Sequence, residues 1–266
     1  MTFNNARIET DEFRITADPH RGGKIVEIFA YRLRRNLLAE ERPDAILRLE
    51  KDAVFSVAGW DEAFPTLEPS GGYPTLGQAW RTAADCRSVD NRLVTQWNMP
   101  PWVMEREITT VGETITACYA ITNTSAAALP ALWASHLLFP LDGLVHAELP
   151  LGRMVPGPGC ELNYLEQQLS IGCAGVRIED TSPLAKSWKF FLPANGPVVL
   201  QYRDACLSLT TEALWWGIWL NRGVLGTRCL GIEPTNAPTD VLDEARTAIA
   251  GGEILRTSWQ VQVKPL

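Results

Sequence analysis

The chain has three histidines for imidazole chemistry, His20, His136 and His146. His136 stands out by its setting: Ala131-Leu132-Trp133-Ala134-Ser135-His136-Leu137-Leu138-Phe139-Pro140 is an apolar, strand-like run ended by a proline. An imidazole there is either a core group satisfied by a backbone carbonyl or a group aimed from a sheet into a cleft. In the second case an unperturbed pKa of about 6.5 suits general acid–base work at neutral pH. Glu233 is the carboxylate to set beside it, placed where a strand breaks into the proline-punctuated loop Glu233-Pro234-Thr235-Asn236-Ala237-Pro238-Thr239-Asp240. It is either a solvated loop residue or a base facing a pocket. A third segment, residues 58–66 with 73–81, gathers Trp60, Asp61, Glu62, Gln78, Trp80 and Arg81 around tight turns. Asp61 and Glu62 are adjacent, and neighbours on a strand point to opposite faces, which argues against a shared carboxylate pair.

Other standard chemistries lack their signatures. There is no G-x-S-x-G elbow, Walker loop, G-x-G-x-x-G fingerprint or H-E-x-x-H helix. The six cysteines are scattered without a C-x-x-C pair or a nearby histidine, so no zinc or other metal site is expected.

The elements that must position these groups read as strands. Across residues 113–122, Ile115, Ala117, Tyr119 and Ile121 share one parity and Thr114, Thr116 and Thr122 the other, the pattern of a half-buried strand. Trp259, Val261 and Val263 alternate with polar residues at the carboxyl end in the same way. Further β-like runs cover residues 24–31, 93–97, 198–202, 206–211 and 214–220, with Gly- and Pro-rich turns between them. Only residues 42–51 and 241–249 suggest helices, and they do not alternate with strands as parallel βαβ units would. The pattern predicts an all-β fold, a large antiparallel β-sandwich formed as a single domain over residues 1–266.

At 266 residues the chain can build its core without a structural metal or disulfides. A net charge of -7 and the lack of a long basic cluster argue against nucleic acid as a partner. No apolar run approaches membrane-spanning length and the start of the chain lacks a secretory pattern, so the expected location is cytoplasmic, with no membrane partner.

Taken in order, these segments resemble the galactose mutarotase-like superfamily of aldose 1-epimerases. Arg21-Gly22-Gly23-Lys24-Ile25 is similar to that family's opening hairpin, and Gly59-Trp60-Asp61-Glu62-Ala63-Phe64-Pro65 to its G-G-x-x-x-x-F-P segment. Trp133-Ala134-Ser135-His136-Leu137-Leu138-Phe139 resembles the strand carrying the catalytic histidine, and Ile232-Glu233-Pro234 the segment carrying the catalytic glutamate. Gly251-Gly252-Glu253 leading to Trp259 resembles the entry to the last strand. The resemblance implies a supersandwich with a sugar or sugar phosphate in an open cleft, and cofactor-free ring opening with Glu233 as base and His136 as acid. Trp60, Trp80 and Trp133 offer apolar faces of the kind that stack on sugar rings, and with Asp61, Gln78 and Arg81 they are the expected sugar-binding residues. The acid and base are expected about a sugar ring's width apart, flanked by tryptophan. One position departs: where sugar-phosphate epimerase relatives carry His-Gly-x-x-x-Arg, this chain has Leu76-Gly77-Gln78-Ala79-Trp80-Arg81. A non-catalytic sugar-binding protein on the same fold is the alternative that Leu76 suggests.

Overall fold

The computed structural model describes residues 5–43, 46–50, 53–158, 160, 170–172, 175–178, 187–223 and 227–266. Among them, two ten-stranded antiparallel sheets form a β-sandwich. The first sheet runs, in spatial order, Ala6–Glu9, Phe13–Asp18, Lys24–Ala30, Trp60–Ala63, Ala134–Pro140, Arg228–Thr235, Trp215–Arg222, Ser187–Pro193 and Val155–Pro156, with Arg35–Asn36 beside Lys24–Ala30. The second centres on Ala205–Thr211, Ile254–Pro265, Thr114–Asn123 and Trp102–Val111.

The alternation read from residues 113–122 is realised in Thr114–Asn123, where Ile115, Ala117, Tyr119 and Ile121 are buried in the core between the sheets. Trp259, Val261 and Val263 enter the same core from Ile254–Pro265. From the facing sheet come Trp133, Leu137 and Phe139, Leu230 and Ile232, Trp188, Phe190 and Leu192, and Trp216, Ile218 and Leu220. Within each set the residues are two or four positions apart, so they share one face. The positions between them must therefore face away from the sandwich. On that outer face lies a second apolar cluster, including Phe55, Leu67, Leu76, Trp80, Ala134, Leu138 and Cys229.

Both helical expectations are corrected. Residues 46–50 form the strand Ile46–Glu50, which pairs with Ala53–Ser56 as a hairpin. Leu47 and Leu49 alternate with Arg48 and Glu50, a period of two over a run too short for a stable helix. Of residues 241–249, only Leu242–Ala245 is helical, a single turn followed by the short strand Ala248–Ile249.

Candidate active site

One cross-strand row on the outer face of the first sheet gathers the ionisable candidates. The register pairs His136 with Asp61 and Gly217 with Glu233. The register that pairs Ala134 with Thr235 and Leu137 with Ile232 sets His136 opposite Glu233. Ile25 pairs with Trp60, which brings Lys24 beside Asp61. Groups distant in the chain thus meet in a line across four neighbouring strands.

His136 and Glu233 approach to 3.5 Å, Nε2 to Oε1. The gap is smaller than the expected sugar-ring width, because the two residues are direct neighbours across one strand pair. They form part of the wall of a cavity of about 260 Å³, together with Phe55, Leu76, Lys189, Trp219 and Asp240. That size is close to the lower end of small-molecule sites, roughly 300–1,000 Å³. Trp219 supplies the flanking indole: its ring lies 5.6 Å from the imidazole at an interplanar angle of 33°, and its Nε1–H is fixed by donating to Ser187 Oγ at 2.7 Å.

Two missing side chains make room for the Glu233 carboxylate. A Cβ on Gly231 would stand 3.1 Å from Glu233 Oε1, and one on Gly217 would stand 3.3 Å from Glu233 Oε2. The end of the strand Arg228–Thr235 and the loop after it are tied to the segment before His136. Asn236 Oδ1 accepts from the Trp133 backbone N–H, and Thr235 Oγ1 donates to the Trp133 carbonyl.

The remaining expected residues lie elsewhere. Trp60 and Trp133 were expected to face the sugar, but both are core residues, donating their indole N–H groups to Glu62 Oε1 and Oε2 respectively. Odd spacing from His136 puts Trp133 on the opposite face of its strand. Asp61 shares the row with His136, yet it is closed off in a buried ion pair with Lys24 at 2.6 Å and does not line the cavity. Nor do Gln78, Trp80 and Arg81, at the turn Ala79–Arg81. Trp80 packs edge-on against Phe55 and donates to the Thr75 carbonyl, while the Arg81 guanidinium lies 4.7 Å from the Trp80 ring. Leu76, which stands where the resembling relatives have histidine, does line the cavity.

No protein-family model and no curated protein matches the chain. Solved structures match it over nearly its whole length. The galactose mutarotase related enzyme from Lactobacillus acidophilus matches with a TM-score of 0.75 at 12% identity, covering 98% of this chain and 97% of that one. Slr1438 from Synechocystis sp. PCC 6803 gives 0.73 at 13% identity over 100% and 99%. The GalM/aldose epimerase homologue from C. elegans gives 0.68 at 9% identity over 99% of each chain. The fold is that of the galactose mutarotases.

Within this mutarotase-like fold, Lys189 and Asp240 complete the site, and sequence reasoning passed over both. Lys189 Nζ lies 2.6 Å from Glu233 Oε2 and 2.7 Å from Asp240 Oδ1. Its signal was the one that singled out His136, an ionisable residue inside the apolar run Trp188-Lys189-Phe190-Phe191-Leu192. Asp240 is held by its own backbone: its carbonyl accepts from the Leu67 and Glu68 N–H groups at 3.1 and 2.8 Å. Burial, aided by the positive charges of Lys189 and Lys24, lowers the His136 pKa to about 3, against the opposing pull of Asp61 and Asp240. Burial also raises the Asp240 carboxyl. Among the described residues His136 Nδ1 has no hydrogen-bond partner.

Behind the row, Glu62 points into the sandwich and anchors it. Arg106 donates to its Oε1 at 3.0 Å and Tyr119 to the same atom at 2.9 Å. Burial pushes this carboxyl up, and those donors pull it back. Asp61 and Glu62 thus serve opposite faces of one strand, as their adjacency requires.

Proposed function

We propose that the chain interconverts the anomers of an aldose by acid–base ring opening and closure. The observation that carries this reading is the His136–Glu233 pair, 3.5 Å apart on the wall of a cavity flanked by Trp219. The anomeric hydroxyl and the ring oxygen are bonded to the same carbon, so two groups this close can reach both. Glu233 takes the proton of the anomeric hydroxyl while protonated His136 gives one to the ring oxygen, and the bond from the anomeric carbon to the ring oxygen breaks. Rotation about the C1–C2 bond and closure on the other face return both protons to their donors. The likeness to mutarotase-related structures supports a sugar as the ligand.

A second reading has its own observation. An imidazole whose pKa is lowered to about 3 is neutral at pH 7, and the apolar Leu76 offers no hydrogen bond to a sugar. Both features suit a protein that binds a sugar without turning it over.

Saturation-transfer NMR over a panel of aldoses and sugar phosphates, at pH 7 and pH 5, separates the two. Catalysis predicts anomer exchange that quickens at the lower pH and falls by about 10²- to 10⁴-fold in His136→Asn or Glu233→Gln. Binding without exchange, unaffected by either substitution, would establish the second reading.

A further inference from the structure

We propose that Lys189 and Asp240 are positioning residues for Glu233: Lys189 occupies Oε2, leaving Oε1 as the atom that receives the substrate proton. The inference rests on the acid–base reading of the site.

The geometry divides the carboxylate. Oε2 accepts from Lys189 Nζ at 2.6 Å, whereas Oε1 has no hydrogen-bond partner among the described residues and faces His136 Nε2 at 3.5 Å. A carboxylate with one oxygen claimed cannot turn its face freely, so the unpartnered oxygen keeps one direction, toward the His136 imidazole on the cavity wall. Lys189 is itself fixed. It emerges between Trp188 and Phe190, both in the core, and Asp240 holds its ammonium from the other side. A lysine stem in such a setting would otherwise have many rotamers, and the two carboxylates remove them.

The same arrangement acts on His136 through charge. Around the imidazole stand Glu233 across the strand pair, Asp61 and Lys24 along the row, and Lys189 and Asp240 on the far side of Glu233. Lys189 disfavours the imidazolium and Asp240 favours it. Removing them should therefore move the His136 titration in opposite directions, which a merely structural role would not do.

The test compares Lys189→Met, Lys189→Arg and Asp240→Asn with the unmodified chain, each checked for folding by its amide NMR spectrum. Two readouts are taken: the pH profile of anomer exchange and the ring-proton titration of His136. Lys189→Met should cut kcat by about 10- to 100-fold with KM little changed, because the base is no longer aimed. It should also move the profile and the His136 titration to higher pH. Lys189→Arg should keep the titration in place, and Asp240→Asn should move it to lower pH. An unchanged His136 titration in the Met and Asn variants would overturn the proposal even if no sugar were turned over. So would a rise in KM at constant kcat, which would make Lys189 a substrate-binding group. Absence of exchange in the unmodified chain would instead count against the acid–base reading itself.

Discussion

His136 Nε2 lies 3.5 Å from Glu233 Oε1, and both side chains are almost wholly withdrawn from solvent. An imidazole in that position is costly to charge, and the cost appears in stability. Its pKa is about 3 in the folded chain against about 6.5 when unfolded. Between those values the unfolded chain takes up the proton first, so acidification from pH 6.5 toward pH 3 favours unfolding. The slope approaches about 1.4 kcal/mol per pH unit, and above pH 6.5 this contribution is constant. In His136→Gln that slope should disappear. Urea unfolding at pH 7 and pH 4.5 checks it; equal losses in both proteins would refute the assignment.

Trp219 and Trp133 should behave in opposite ways. Trp219→Ala removes the indole beside the cavity and should weaken sugar binding by about 2- to 10-fold, leaving the fold intact. Trp133→Phe should leave affinity alone but cost about 1–3 kcal/mol, because Glu62 Oε2 loses its donor inside the core. Calorimetric titration with the best sugar of the panel and urea unfolding together decide the point.

Leu76 has a left-handed backbone, φ 58°, a conformation that histidine adopts more readily than leucine does. Leu76→His should therefore be accommodated and bring a hydrogen-bonding group to the cavity wall. An increase in exchange of about 10- to 100-fold, corresponding to about 1.5–3 kcal/mol, is the expected result. A folded Leu76→His protein with an unaltered exchange rate would show that this position does not grip the substrate.

The Glu62–Arg106 pair lies between the sheets with both side chains fully buried. Arg106→Met should destabilise the protein by about 3–5 kcal/mol, since it strands the Glu62 carboxylate in the core. Chemical denaturation would reveal it as a lower midpoint; a loss under 1 kcal/mol would mean that the indole and phenol donors suffice.

Much of the architecture was legible because sheet alternation is written residue by residue: the runs at 24–31, 93–97, 113–122, 198–202, 206–211 and 214–220 each lie on a strand to within one residue. His136 was legible as a polar group inside an apolar strand-like run, and Glu233 as a carboxylate at an expected strand end, although the strand continues through it to Thr235. The same alternation, counted from His136, would have removed Trp133 from the sugar-binding set. Lys189 was passed over because the run at 187–193 was not read as a strand, and only the strand order brings Glu233 beside it. Asp240 is placed by contacts with Thr66, Leu67 and Glu68, far away in the sequence, and no local pattern encodes such a contact.

The row from Lys24 through Asp61 and His136 to Glu233 also constrains how the strands can align. A slip of one residue on any of these strands would turn its charged or imidazole group into the apolar interior and bring a core side chain out to replace it. For the central strand, His136 would give way to Ser135 or Leu137. The residues of this row are thus a register lock, and a substitution that relieves their charge should loosen the pairing of the sheet as well as its chemistry.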